Sequence, residues 1–382
     1  MLRYRLHQIL FMSKGRLETI SQVFLLGALL TLPVVVKLMY DTGVLEWNEI
    51  PFTWYGLWIW TVFGGVFGFP FMKGAFPKLF LLSVFLSQAA NVESIDTFFT
   101  PMVLGVWMFF LMVAAFERIR FPFEYVFVIG GLVNVGWAIA ESQGFWWPFR
   151  LSEKSSSYVG LFNSSNALGA YLAISLPLLL LLMPKWTRPF VILYGVGLWI
   201  AASSMAVMGA TIGLIFVAFK IYGRRLCLFI LGSLTIIFLI FAFYIDHFNV
   251  SHKFRFTIWK ASVELALQKP LFGHGLGSFQ HKFNLARLDL WDGKRMWEHP
   301  HNEIINLFFE QGLFGVVVVG GFVVVLLSQL WATTQVAYSA VIVSTIVISM
   351  GFYPFHNVAI AALVAYSLGK MNVERGDTKR DG

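Results

Sequence analysis

Long runs of apolar residues alternate with short polar connections along most of the chain. A helix needs roughly 20 apolar residues to cross a bilayer. The apolar stretch 189–220 is too long for one span, so we divide it at the polar pair Ser203 and Ser204. The predicted spans lie near 20–40, 51–70, 75–91, 98–116, 123–140, 165–183, 189–203, 206–220, 226–245, 304–328, 336–351 and 355–369. We expect an all-α, polytopic integral membrane protein with about 12 transmembrane helices and a single membrane domain, 1–382.

The positions of Lys and Arg predict the orientation of these spans. Basic residues cluster at both ends of the chain and after the second, fourth, sixth and eighth spans, whereas the opposite short connections carry mainly Asp and Glu. Cytoplasmic connections of membrane proteins are enriched in Lys and Arg. Both termini are therefore predicted to be cytoplasmic, with a short tail over 371–382.

One polar segment, 246–300, falls on the outer side and is nevertheless rich in basic residues. They are Lys253, Arg255, Lys260, Lys269, Lys282, Arg287, Lys294 and Arg295. An anionic ligand at the outer membrane surface would account for them; a solvated loop that its charges keep in water is the alternative. We predict one large helical outer loop here, with an amphipathic helix over 252–268.

Composition supports a membrane protein and excludes some kinds of site. The chain of 382 residues is 58% hydrophobic and 13% charged, whereas soluble domains carry about 25% charged residues. The single cysteine, Cys227, excludes a disulfide framework and a cysteine-based metal cluster. The apolar run from Ile20 lacks a small-residue cleavage site, so we expect a first membrane helix rather than a cleaved signal peptide. Membrane lipids are expected partners, and nucleic acid is not.

Arg255 and Trp259 are four residues apart on the predicted outer-loop helix and so share one face. A guanidinium stacked on an indole would be held rigid and could present donors to a phosphate. A Trp anchor with a snorkelling Arg at the membrane interface explains the pair equally well.

Three alternating glycines follow that helix after Pro270, at Gly273, Gly275 and Gly277, and they enclose His274. A backbone nest for phosphate is one interpretation. A tight structural turn is the other. The surroundings do not fit a dinucleotide-binding fingerprint, since no βαβ pattern flanks the glycines.

The segment 298–315 is polar where a loop should enter a membrane, which makes it a functional candidate. Its residues include His299, His301 and Asn302. Glu298 and the two histidines could ligate a metal, although the spacing lacks the helical His-Glu-x-x-His pattern. Alternatively, a neutral histidine could act as a general base that takes a proton from a hydroxyl, with Asn302 orienting it or binding a sugar.

A second polar stretch opens span six from the same outer side. Its Asn163, Ser164 and Ser165 are plausible helix caps, and Asn166 lies one turn before Gly169. Close helix packing next to a polar cap accounts for this pattern.

These blocks together resemble the bacterial O-antigen ligase and O-antigen polymerase family of membrane glycosyltransferases. The resemblance rests on 160–169, on Arg255 and Trp259 followed by the glycines of 270–279, and on His301-Asn302 with Gly312 and Gly315. It covers roughly residues 155–330.

The resemblance implies transfer of a glycan from a polyprenyl (undecaprenyl) diphosphate carrier to an acceptor hydroxyl at the outer leaflet. The acceptor would be lipid A–core for a ligase or another lipid-linked glycan for a polymerase. The expected reaction inverts the anomeric carbon and uses no cofactor and no metal. His301 matches the histidine that activates the acceptor, and Arg255 matches an arginine that binds the diphosphate. The expected location is the bacterial inner membrane, with the catalytic loop in the periplasm.

One departure from the family pattern concerns a second arginine at the outer start of a helix. The corresponding stretch, 203–210, places Met205 there and contains no Lys or Arg. A second cation would have to come from elsewhere, with Arg287, Arg295, Lys253 and His274 as candidates. Trp259, Asn302 and Asn166 complete the predicted substrate-binding set.

Two other functions remain open at this point. The first is a transporter or flippase of lipid-linked sugars, although its usual internal repeats and midplane charges are not evident. The second is an inactive family member that binds carrier lipid, which the absence of the second arginine would explain.

Overall fold

The computed structural model describes residues 75–91, 121–145, 158–162, 164–223, 248–287 and 297–378, with isolated positions between 106 and 117. Across these residues the regular structure is helical and contains no β-strand, which confirms the all-α class there. The α-helices are α1 Ala75–Ala89, α2 Glu124–Ser142, α3 Ser165–Leu181, α4 Phe190–Ala201, α5 Ser204–Tyr222, α6 Phe248–Ala266, α7 Phe279–Ala286, α8 Glu303–Ala332, α9 Val336–Ser349 and α10 Val358–Thr378.

Helix α3 lies at the centre of the bundle and packs against α2, α4, α5 and α9. Its residues from Ala167 to Leu179 are all buried, as expected for a helix that is apolar on every side. The N-terminus is capped by Ser164, whose hydroxyl accepts a hydrogen bond of 3.2 Å from the amide of Ala167. The capping role expected for this polar stretch is thus confirmed at Ser164.

The long apolar stretch 189–220 forms two helices, as predicted. Helix α4 ends at Ala201, the following Ala202 adopts a left-handed conformation with φ 47°, and α5 begins at Ser204. Gly169 of α3 packs against this corner: a Cβ there would lie 2.9 Å from the Cβ of Ala206 and 3.1 Å from that of Ser203. A small residue therefore lets α3 approach the break closely.

The glycines after α6 form a turn that binds α8, and we call residues 270–277 the glycine clasp. The amides of His274 and Gly275 donate to the carbonyls of Phe309 and Glu310, at 2.8 and 2.9 Å. In return, the amide of Leu313 donates to the carbonyl of Pro270 at 2.7 Å. These bonds support the structural interpretation of the turn, since the amides contact α8 rather than facing outward as a nest.

Helix α8 is broken at Gly312, which has φ 65° and ψ −164° inside an otherwise helical segment. The break brings the chain against the clasp so closely that a Cβ on Gly312 would lie 2.5 Å from the carbonyl carbon of Leu271. A Cβ on Gly273 would likewise lie 2.5 Å from the carbonyl carbon of Glu310. Only glycine satisfies both the positive φ and the close approach at these two positions.

Helix α1 binds the same region of α8 through side chains. The hydroxyl of Ser87 donates to the carbonyl oxygen of Glu310 at 2.7 Å, and the hydroxyl of Ser83 donates to Oε1 of Gln311 at 2.8 Å. The carboxylate of Glu310 itself accepts a bond of 3.2 Å from the amide of Phe279, at the start of α7. Glu310 is therefore a buried link between α7 and α8.

Helices α2, α5 and α8 are long and apolar enough to cross a membrane. Shorter apolar helices run over Leu79–Ala89, Ser165–Leu181, Val336–Ser349 and Val358–Met371. All of these fall within or beside predicted spans, which supports a membrane protein in general terms. The predicted spans 20–40, 51–70 and 226–245 lie outside the described residues, and 98–116 is described only at isolated positions.

We expect Gly312→Ala to destabilise the protein, because alanine at this φ is strained and its Cβ overlaps the backbone of Leu271. The expected loss is at least about 2 kcal/mol in the free energy of unfolding. Thermal unfolding in detergent measures it.

The matched control is Gly320→Ala in the same helix, where a Cβ meets nothing within 4 Å. It should leave the unfolding temperature unchanged or raise it, because alanine favours helix over glycine. Equal effects of the two substitutions would contradict the role given to the clasp.

Candidate active site around His301

The N-terminus of α8 fixes the backbone beside His301. Asn302 is the N-cap residue: its Oδ1 accepts bonds of 3.0 and 3.1 Å from the amides of Ile304 and Ile305. Its Nδ2 donates to the carbonyl of Met350 at 3.0 Å, which joins the cap to the end of α9. His301 itself has φ 56°, an uncommon conformation for a residue with a side chain. Such backbone strain is frequent at functional sites.

Helix α6 brings Arg255 and Trp259 to this loop. The helix runs over Phe248–Ala266, whereas the sequence predicted 252–268. Trp259 donates from Nε1 to the carbonyl of Pro300, next to His301, at 2.7 Å. Arg255 donates from Nη1 to the carbonyl of Gly351 at 3.2 Å. The two side chains thus share a helix face, as predicted, and each hydrogen-bonds a different loop of the site.

Aromatic rings pack around Tyr353, in the connection between α9 and α10. The centroid of its ring lies 5.2 Å from that of His301, 4.6 Å from that of His299 and 5.5 Å from that of His356. His299 and His356 stack on each other at 4.0 Å with nearly parallel planes. We call these four residues the ring cluster.

Burial keeps the histidines of the loop in the neutral form. It lowers the pKa of His301 to about 4, and the neighbouring positive charge of Arg255 adds to the effect. The pKa of His299 is also lowered to about 4, by burial and then by His301. Burial lowers the pKa of the Arg255 guanidinium too, but arginine remains charged at neutral pH. A neutral imidazole next to a fixed cation is therefore the chemical core of the site.

Several polar atoms in the ring cluster and beside it are buried without a hydrogen-bond partner in the described structure. They are Nδ1 of His299, His301 and His356, and Oε1 of Glu303. Oε1 of Glu303 lies 3.9 Å from Nδ1 of His356, too far for a hydrogen bond. Among the described residues, no His, Cys, Asp and Glu side chains form a group of three or more that could hold a metal ion.

The remaining predicted site residues lie in different surroundings. His274 is buried in the glycine clasp, with its Nε2 2.9 Å from the carbonyl oxygen of Leu265 and its ring stacked on Phe309. Arg287, at the end of α7, pairs with Glu264 of α6 at 3.3 Å. Asn166 lies in the first turn of α3 and is partly exposed, and Arg295 falls outside the described residues.

Met205, where the family pattern has an arginine, lies close to Arg255. A Cβ on Gly351 would be 2.7 Å from both Cγ and Sδ of Met205. Gly351 is also the residue whose carbonyl accepts the bond from Arg255. An apolar thioether thus occupies the neighbourhood in which a second cation was expected.

Sequence reasoning missed Tyr353 and could not fix the role of His356. Tyr353 lies between the predicted spans 336–351 and 355–369, and His356 lies at the outer end of the second of them, in the aromatic segment 352–356. Aromatic residues at a span end usually act as membrane-interface anchors, so composition gave no reason to select them. The signal that could have identified this segment is its histidine, which lies on the same predicted side of the membrane as His301.

Comparison with known proteins bears on the same part of the chain. Residues 158–320 match a family model described as O-antigen ligase. The match supports assignment to the O-antigen ligase and polymerase family. It contains Asn166, Arg255, Trp259, His301 and Asn302, and it ends inside α8. None of the curated proteins compared with the chain matches it significantly.

Protein stability should fall as the pH drops from about 6.5 toward 4. Burial lowers the folded-state pKa of His299 and of His301 to about 4, below the ordinary histidine value of about 6.5. In that pH window both imidazoles bind a proton in the unfolded chain and not in the folded one, so the pair makes acid favour unfolding. Burial raises the pKa of Glu303 to about 8, and this carboxyl acts in the opposite direction with one proton against two. Unfolding temperatures of the detergent-solubilised protein across this range measure the effect.

The variant His299→Gln/His301→Gln should show a smaller drop over the same pH range, because it lacks the two buried imidazoles. The control His281→Gln alters an exposed histidine on α7 and should follow the parent protein. An undiminished drop in the double variant would mean that other groups cause the acid sensitivity.

Proposed function

We propose that this protein is an O-antigen ligase-like glycosyltransferase. It moves a glycan from a polyprenyl diphosphate carrier, undecaprenyl diphosphate in bacteria, to an acceptor hydroxyl on lipid A–core or on another lipid-linked glycan. The observation that carries the proposal is the neutral imidazole of His301 beside the partly buried guanidinium of Arg255. The family match over 158–320 supports the same reaction class.

His301 is the proposed general base. A lowered pKa leaves its lone pair free at neutral pH, so the imidazole can accept the proton of the acceptor hydroxyl. The hydroxyl oxygen then attacks the anomeric carbon from the side opposite the diphosphate, which inverts that carbon. The bond between the carbon and the diphosphate oxygen breaks, and its electron pair leaves with the polyprenyl diphosphate.

Arg255 is the proposed binding group for the leaving diphosphate. A guanidinium carries five N–H donors in a fixed fork, so its bond to Gly351 can hold it in place while other donors contact phosphate oxygens. Partial burial strengthens such contacts because water screens the charge less. In this scheme protein cations, and no metal ion, neutralise the diphosphate.

The other proposed substrate-binding residues have supporting or peripheral roles. Trp259 and Asn302 hold the loop around His301 through their bonds to Pro300 and Met350. Asn166, Arg287, Arg295 and His274 remain proposed contacts for the glycan or its carrier. With Met205 near Gly351, Arg287 or Arg295 is the better source of a second cation, because burial in the clasp lowers the pKa of His274.

We place the protein in the bacterial inner membrane, with about twelve spans and both termini in the cytoplasm. The segment 246–300 then forms the periplasmic loop that carries Arg255. The lipid-linked donor and the acceptor meet His301 at the outer leaflet.

Proteoliposomes supplied with a polyprenyl-diphosphate glycan and each acceptor test this function. Transfer of one block to lipid A–core identifies a ligase, and a ladder of lipid-linked products identifies a polymerase. His301→Ala should reduce the rate at least about 100-fold through loss of the base. The control His281→Ala, at an exposed histidine, should retain the rate.

Movement of the lipid-linked donor across the bilayer without glycan transfer would instead indicate a transporter. Donor binding with neither transfer nor movement would indicate an inactive family member. Full activity of His301→Ala would refute the assigned base.

Arg255→Lys should also lose activity, by about 100-fold, because an ammonium group cannot present the planar fork of donors. The main effect should appear in kcat if the guanidinium stabilises the departing diphosphate. Lys260→Arg, at a side chain on the same helix that is 80% exposed, is the matched control and should leave the rate unchanged. An active Arg255→Lys variant would show that only the charge is needed.

A further inference from the structure

Tyr353 belongs to no element of the scheme above, although its ring touches the base. It lies between α9 and α10, and its ring packs against those of His301, His299 and His356. The preceding Phe352 stacks on it at 4.6 Å. These contacts leave Tyr353 little freedom to move relative to His301.

We propose that Tyr353 is a positioning residue for His301: its ring, supported by the stacked His299 and His356, covers the imidazole and excludes water from it. The proposal deepens the function given above, because it rests on His301 as the base. It assigns the effect to the ring of Tyr353 and not to its hydroxyl group.

The unpaired atoms of the cluster support this assignment. Nδ1 of His301 is buried without a partner, as are Nδ1 of His299 and Nδ1 of His356. These nitrogens are closed to solvent by the side chains packed around them. The ring of Tyr353 is one of those side chains, since it packs against all three histidines.

Charged and titratable groups face His301 from each element packed around it. Arg255 approaches from α6, His299 from the same loop, and Tyr353 from the connection between α9 and α10. His356, from the same connection as Tyr353, stacks on His299. Glu303, at the start of α8, lies behind His356. Burial is the largest cause of the lowered pKa of His301, so removal of a covering ring should raise that pKa.

Two substitutions distinguish the role of the Tyr353 ring from that of its hydroxyl group. Tyr353→Phe keeps the ring and should retain transfer within about twofold and the same dependence on pH. Tyr353→Leu removes the ring and admits water. It should lower kcat about tenfold or more and move the acid limb of the pH–rate profile upward by about one pH unit.

A chemical probe tests the same point without glycan transfer. Diethyl pyrocarbonate modifies neutral, accessible imidazoles, and mass spectrometry reads the extent at His301 in the purified full-length protein. Tyr353→Leu should raise the modification rate of His301 about tenfold or more, and Tyr353→Phe should match the parent. Tyr125→Leu is the control, since Tyr125 is 42% exposed on α2.

The outcomes separate this proposal from the proposed function. Faster modification in Tyr353→Leu supports the covering role even if no glycan is transferred by any variant. Equal modification rates in Tyr353→Leu and the parent overturn it, as does a loss of transfer in Tyr353→Phe. If Tyr353→Leu does not fold, His356→Leu and His356→Phe give the same comparison. The leucine variant should expose His301 and the phenylalanine variant should not.

Discussion

Backbone hydrogen bonds between the glycine clasp and α8 hold the site together. Arg255 lies on the helix that precedes the clasp, and His301 lies just before α8. The bonds of His274, Gly275 and Leu313 across the break therefore limit how far the guanidinium and the imidazole can separate. The left-handed Gly312 makes this approach possible, because a side chain there would overlap the backbone of the clasp.

The protonation states of Arg255 and His301 follow from that packing. With Arg255 and His301 held close and partly buried, the positive charge stays on arginine and the histidine remains neutral. A base that is neutral at physiological pH and a cation that binds a leaving diphosphate have opposite requirements for protonation. Burial meets both requirements at once, because it disfavours a positive charge on His301 beside the one already on Arg255.

Much of the fold could be predicted from the pattern of apolar residues, since a bilayer dictates helix length. The break between Ala201 and Ser204 followed from length and a polar pair. Side-chain partners could not be predicted in this way. Asn302 proved to be a helix cap, and Tyr353 reached His301 only through the tertiary approach of α9 to the start of α8. Such contacts depend on packing between distant segments, which spacing along the chain does not encode.

The most direct test of the central claim is a cryo-EM structure of the protein with a polyprenyl-diphosphate glycan bound in a lipid nanodisc. The diphosphate should lie within hydrogen-bond distance of the Arg255 guanidinium, at about 2.7–2.9 Å. The anomeric carbon should face His301, with room for an acceptor hydroxyl between them. Diphosphate bound away from Arg255, or a glycan directed away from His301, would contradict the roles proposed for these two residues.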